Sequence, residues 1–140
     1  MSHQALIDFY QTLTPQTLPR FAEFYSEDAW FKDPFNEVRG LPAIQRIFAH
    51  MFTQVGEPRF VVETVVADAG GAMLVWRFHY RARLWGKSAS QVMRGVSHLQ
   101  FDAEGKVNYH RDYWDTAEEL YMKLPGIGSL MRGMRRMLAA

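Results

Sequence analysis

Apolar side chains return every three or four residues over the first third of the chain and every second residue later, and this change of period divides the elements. Leu6, Phe9, Tyr10 and Leu13 form one stripe at helical spacing. Thr14-Pro15 interrupts it. Thr17 is placed to cap a second helix with Pro19 in its first turn, and Leu18, Phe21, Phe24 and Tyr25 supply that helix's apolar face. A helical hairpin is therefore predicted over residues 1–27. Ala29 to Lys32 reads as a short strand ended by Asp33-Pro34, and Asn36 to Gly40 as a turn. A third helix begins near Pro42, turns Leu41, Ile44, Ile47, Phe48, Met51 and Phe52 inward, and closes at Gly56-Glu57-Pro58.

From Phe60 the period becomes two. Phe60 to Ala67, Ala72 to Leu84, Lys87 to Phe101 and Lys106 to Trp114 read as strands, separated by Asp68–Gly71, Gly86 and Asp102–Gly105. Helices followed by antiparallel strands predict an α+β fold, with the helices gathered on one face of the sheet. Residues 1–119 form the domain. Residues 120–140 form an extension in which Leu130, Met131, Met134, Met137 and Leu138 share one side of a helix and Arg132, Arg135 and Arg136 the other. A hinge between Leu124 and Ser129 is expected to separate the two.

Composition narrows the function classes. At 140 residues with 48% hydrophobic side chains, the chain can build a substantial core, which excludes a disordered chain. The formal charge is +1, which gives no general case for nucleic acid, and Arg77, Arg81 and Arg83 on one strand face read as a solvated or dimer-rim row. The charge is unevenly spread. Lys123, Arg132, Arg135 and Arg136 put +4 on residues 120–140, leaving −3 on residues 1–119. Without cysteine there is no disulfide and no thiolate chemistry. No apolar run reaches the roughly 20 residues that span a bilayer, and a basic-then-apolar leader is not seen at the start, so a cytoplasmic location is expected.

The last strand carries the densest chemistry. Period two places His110, Asp112 and Trp114 on one face and Tyr109, Arg111 and Tyr113 on the other. A carboxylate beside an imidazole orients the ring and forms an acid–base pair, with Trp114 as an apolar wall. Asp33, held extended by Pro34, is a second proton-transfer candidate at a pocket edge. The competing readings are an interface hydrogen-bond network for the pair and an ordinary turn aspartate for Asp33. His98 reads as a structural or interface histidine. His110-x-Asp112 lacks the further ligands a metal would need, so no metal and no cofactor is expected.

The opening phrases Phe24-Tyr25-Ser26-Glu27-Asp28-Ala29, Lys32-Asp33-Pro34 and Gly40-Leu41-Pro42-Ala43-Ile44, with the turn Phe101 to Val107, resemble the nuclear-transport-factor-2-like superfamily, most nearly its small bacterial SnoaL-like proteins. The resemblance covers roughly residues 4–120. It implies a cone, in which a strongly curved mixed or antiparallel sheet wraps a pocket that the N-terminal helices close, and dimerisation through the sheet's outer face. The chain also resembles ketosteroid isomerase. That resemblance places Asp33 at the proton-shuttling aspartate and Trp114 at a pocket tryptophan. It leaves Phe9, beside Tyr10, where that enzyme has a first-helix tyrosine, and Ser97 where it has a protonated aspartic acid. Steroid isomerisation would need Tyr10 and Ser97 to substitute as donors.

Taken together, Asp33, His110 and Asp112 are the expected catalytic groups. Tyr10, Trp30, Phe31, Ser97 and Trp114 are expected to bind an apolar small molecule in a cofactor-independent isomerase, cyclase or hydrolase. The alternative is a non-catalytic ligand-binding or dimeric interaction protein. The methionine-rich tail is expected to pack over the cone mouth or across a homodimer, with peripheral contact to anionic lipid as its alternative.

Overall fold

The computed structural model describes residues 3–84, 86–119 and 126–139. Helix α1 (Gln4–Gln11) buries Leu6, Ile7, Phe9 and Tyr10, as the helical spacing predicts. The second predicted helix is not continuous. Residues Pro15–Arg20 wind as a 3-10 turn, α2 is only Phe21–Phe24, and strand β1 (Tyr25–Lys32) starts four residues earlier than expected. Pro19, inside the segment, lacks the amide donor that an α-helix would need there, whereas Pro15 at its first position costs nothing. Thr17 does not cap a helix start. Its hydroxyl instead accepts from the Thr14 amide at 2.9 Å, within the turn. Tyr25, read as part of a helix face, enters the sheet opposite Val107.

After β1 the chain makes a short strand β2 (Glu37–Arg39), where the sequence reads as a turn, and then α3 (Leu41–Gln54). Gly40 precedes α3 at φ 101°, a conformation that favours glycine, and donates its amide to the Ala29 carbonyl at 2.8 Å. Strands β3 (Gly56–Asp68), β4 (Gly71–Leu84) and β5 (Lys87–Phe101) are two long antiparallel hairpins, and β6 (Val107–Tyr113) completes the sheet. Helices α4 (Thr116–Glu119) and α5 (Ile127–Leu138) follow. Lys123 and the first two positions of the expected hinge, 124 and 125, lie outside the described residues, and α5 already begins at Ile127, within the span expected as hinge.

The six strands form one curved, unclosed mixed sheet in the order β2-β1-β6-β5-β4-β3. Only β1 and β6 are parallel. Period two sets the inner wall. Ala72, Leu74, Trp76 and Phe78 of β4, and Gly95, Ser97 and Leu99 of β5, turn toward α1 and α3. On β6 an extra residue at Asn108 breaks the alternation, so Val107 and His110 are both buried despite their odd spacing. Phe9, Phe21, Phe31, Ile44 and Leu99 are among the fully buried side chains, each worth about 1.5–3 kcal/mol of apolar burial. Gln11 ties α1 to the sheet by accepting the Val62 amide at 2.9 Å, where β3 bulges. Among the described residues no helix is long and apolar enough to cross a membrane.

Candidate functional site

Six polar side chains from five elements meet inside the cone in one unbroken line. The Trp76 indole N–H donates to Ser97 Oγ at 2.8 Å, and the Ser97 hydroxyl donates to Asp112 Oδ1 at 2.5 Å. His110 Nε2 lies 2.6 Å from the same Oδ1, while its Nδ1 lies 2.6 Å from the Tyr25 hydroxyl. Tyr25 in turn is 2.5 Å from the Tyr10 hydroxyl. Donor and acceptor capacity gives the line a direction. With Asp112 ionised and the imidazole neutral, His110 carries its proton on Nε2 and accepts from Tyr25 at Nδ1, and Tyr25 accepts from Tyr10. Every proton on the line then points toward Asp112 Oδ1.

The sheet register builds this line. Ser97 lies directly opposite Asp112, and Leu99 opposite His110. Trp76 lies opposite Gly95, so it reaches Ser97 diagonally. Any side chain at position 95 would collide with the Trp76 ring, and glycine lets the indole lie flat across β5 to deliver its N–H. The His110 ring packs edge-on against Phe31, with centroids 4.8 Å apart, and near Tyr10 and Tyr25. Burial pushes the Tyr10 phenol far above its ordinary range; the Tyr25 hydrogen bond opposes this and the Asp112 charge adds to it. Tyr25 is raised as well, first by burial and then by Tyr10 and Asp112. Both phenols therefore stay protonated across all ordinary conditions.

Two cavities share these walls. A chamber of about 20 Å³, room for roughly one water molecule, touches Tyr10, Ser97, His110 and Asp112. Next to it lies a cleft of about 570 Å³, a size that suits a small ligand. Phe48, Phe60, Trp76 and Asp112 line both. Phe31, Ile47, Phe78 and Met93 make most of the cleft apolar, and Asp33, Phe35 and Trp114 stand at its rim. Trp114 packs edge-on against Phe35 there, with centroids 5.4 Å apart.

The expected site residues thus separate into groups. His110, Asp112, Tyr10 and Ser97 converge on the chamber, and Phe31 and Trp114 border the cleft. Trp30 does not reach the cavity. It points to the convex side and stacks on Tyr109 at 4.8 Å, because it alternates with the inward Phe31 and Ala29. Asp33 reaches the cleft rim with its carboxylate engaged in its own turn. Oδ1 accepts the amides of Phe35 and Asn36 at 2.8 and 2.6 Å, and the Asn36 side-chain amide spans both oxygens. His98 faces outward against Tyr109. Arg77 pairs with Glu63, and Arg81 reaches the hydroxyls of Ser88 and Ser90.

Sequence reasoning passed over Tyr25 and Trp76. Trp76 had a readable signal. A hairpin closing at Gly86 sets Trp76 opposite Gly95, a large ring facing the one residue that can accommodate it. Tyr25 had none, because its spacing from Leu18, Phe21 and Phe24 is equally that of a helix face. Among the described residues no three His, Asp or Glu side chains cluster as a metal site would require.

The SnoaL-like domain profile matches residues 6–110. Three solved structures with the same fold illustrate its range. A SnoaL-like polyketide cyclase from Agrobacterium tumefaciens aligns at TM-score 0.63 and 16% identity, covering 81% of this chain and 87% of that one. A Mycobacterium tuberculosis epoxide hydrolase of the LEH-like type aligns at TM-score 0.66 and 14% identity, covering 94% and 87%. A hypothetical protein with a ketosteroid isomerase-like fold from Catenulispora acidiphila, in complex with trimethylamine, aligns at TM-score 0.69 and 12% identity, covering 84% and 87%. At these identities the likeness is one of fold. No curated relative matches the chain.

Proposed function

The chain belongs to the SnoaL-like family, and we propose that it performs cofactor-independent acid–base chemistry on an apolar small molecule held in the cleft, with Asp112 as the base. One observation carries this reading. Asp112 lines both cavities, its Oδ1 is held by Ser97 and His110, and no described residue hydrogen-bonds its Oδ2. One oxygen is fixed and the other, on a side chain that lines the cleft, takes no hydrogen bond from a described residue, which is the arrangement a general base needs.

In the proposed reaction an apolar skeleton enters past Trp114 and settles against Phe31, Phe60 and Phe78. It displaces water and strengthens every electrostatic contact around Asp112. Oδ2 takes a proton, either from a carbon next to a carbonyl or from a water molecule. In an isomerisation or cyclisation the same oxygen returns it elsewhere on the product; in a hydrolysis the hydroxide left by the water adds to an electrophilic carbon, the bond from that carbon to its leaving oxygen breaks, and the Asp112 carboxyl gives its proton to that oxygen. Ser97 and His110 keep the carboxylate aimed throughout. Tyr25 and Tyr10 hold the imidazole in the tautomer that serves Asp112. Asp33, committed to its turn, takes a rim position in this scheme.

The test begins with thermal stabilisation by steroids, terpenoid epoxides, polyketides and fatty acids, where saturable stabilisation by one class identifies the ligand type. With a turned-over member of that class, Asp112→Asn is expected to lower the rate about 10²–10⁴-fold while the stabilisation by ligand persists. An unchanged rate would remove Asp112 as the base. Stabilisation without turnover by any class would make the cleft a binding site alone.

A further inference from the structure

Five of the ten large apolar side chains most exposed among the described residues sit on the twelve-residue helix α5. At about 100° per residue, Ile127, Leu130, Met131, Met134, Met137 and Leu138 fall within an arc of about 120°. Arg135, Arg132 and Arg136 follow on the adjoining side. Gly128 is the helix's buried position and Met131 is half-buried, whereas Leu130, Met137 and Leu138 are 63%, 85% and 82% exposed. None of the helix lines either cavity of the candidate site. The stripe expected to pack over the cone mouth or across a homodimer is exposed on the single chain.

We propose that α5 docks the protein on the surface of a bilayer rich in anionic lipid, with the apolar arc among the upper acyl chains and the arginines at the phosphates. Charge is the first argument. Residues 120–140 hold four cationic side chains and no acid, while the remainder of the chain is net negative, so the charge of this segment complements an anionic surface. Its polarity profile is the second. Glycines, a serine and three arginines keep the helix's overall hydrophobicity low while its two sides differ sharply, as in a helix that lies in an interface and not in a core. Arg135 borders the apolar arc, where its long stem can cover lipid while the guanidinium stays at the headgroups. Size is the third. Twelve residues span about 18 Å, and an arc of that length offers far less than the roughly 800 Å² per side of a stable protein interface.

The full-length protein, floated with vesicles of phosphatidylcholine and phosphatidylglycerol, is expected to rise with them and to stay behind with pure phosphatidylcholine. Added salt is expected to release it. Arg135→Gln with Arg136→Gln is expected to weaken the partition about 25-fold, at roughly fivefold per charge. Leu130→Asp with Met137→Asp is expected to abolish it. All four positions are exposed, so circular dichroism and the thermal midpoint should match the parent protein. Failure of the parent protein to bind the mixed vesicles overturns the proposal, as does equal binding by the aspartate pair. A dimer in solution that the aspartate pair splits into monomers also overturns it, assigning the stripe to a second copy.

Discussion

Two aspartates stand at the cleft, and their surroundings give them opposite capacities. Asp112 is backed by a buried line of donors that occupies one oxygen, while no described residue hydrogen-bonds the other. Asp33, at the rim, spends its carboxylate on Phe35 and Asn36, closing the turn between β1 and β2. Both sit beside the same cavity, so location does not separate them. What a carboxylate can do depends on which of its oxygens the protein has already engaged, and of the two only Asp112 keeps an oxygen that no described residue hydrogen-bonds.

The largest expected contrast is kinetic, with Asp112→Asn crippling turnover as set out above. Alkaline titration probes the line behind Asp112. The phenols of Tyr10 and Tyr25 sit well above the ordinary value of 10.0, so above that pH the unfolded chain releases protons that the folded chain keeps. Stability should be flat in these groups below pH 10 and fall beyond it by about 1.4 kcal/mol per pH unit for each phenol. Urea midpoints across the alkaline range, read with the tyrosinate absorbance band, would check this. Ionisation that precedes unfolding would contradict it.

A smaller effect is expected from Tyr25→Phe, which strips one hydroxyl from between Tyr10 and His110. Leaving a buried polar partner unsatisfied should cost about 1–3 kcal/mol, seen as a lower urea midpoint at unchanged slope. The smallest effect belongs to Asp33→Asn. An amide oxygen can still accept the Phe35 and Asn36 N–H groups, so stability should stay within about 0.5 kcal/mol and turnover within a few-fold. A large rate loss at Asp33 would reverse the comparison.

Much of this frame could be read from the chain. Strand alternation on β6 put His110, Asp112 and Trp114 on one face, and the stripe of α1 put Tyr10 inside. The hydrophobic periods delivered both because burial enforces them. What resisted reading were features decided by tertiary pairing. Tyr25 follows a helix-like series, yet pairing with Val107 draws it into the sheet. Trp30 looks like a pocket tryptophan until the alternation with Phe31 sends it outward. Asp33 carries no mark in sequence that its oxygens will be spent within three residues. The tail's amphipathy was plain, but whether anything covers it was not written in its own residues.

The parallel seam between β1 and β6 joins the first strand made to the last. His110 and Asp112 come to rest beside Phe31 only when the chain's distant ends have met, and contacts of such long sequence separation form late and slowly. A nascent chain still missing its final strand has laid down Tyr10, Tyr25 and Trp76 with nothing to align. The polar chamber is therefore completed only when β6 has left the ribosome, and a chain cut short before that strand lacks both His110 and Asp112.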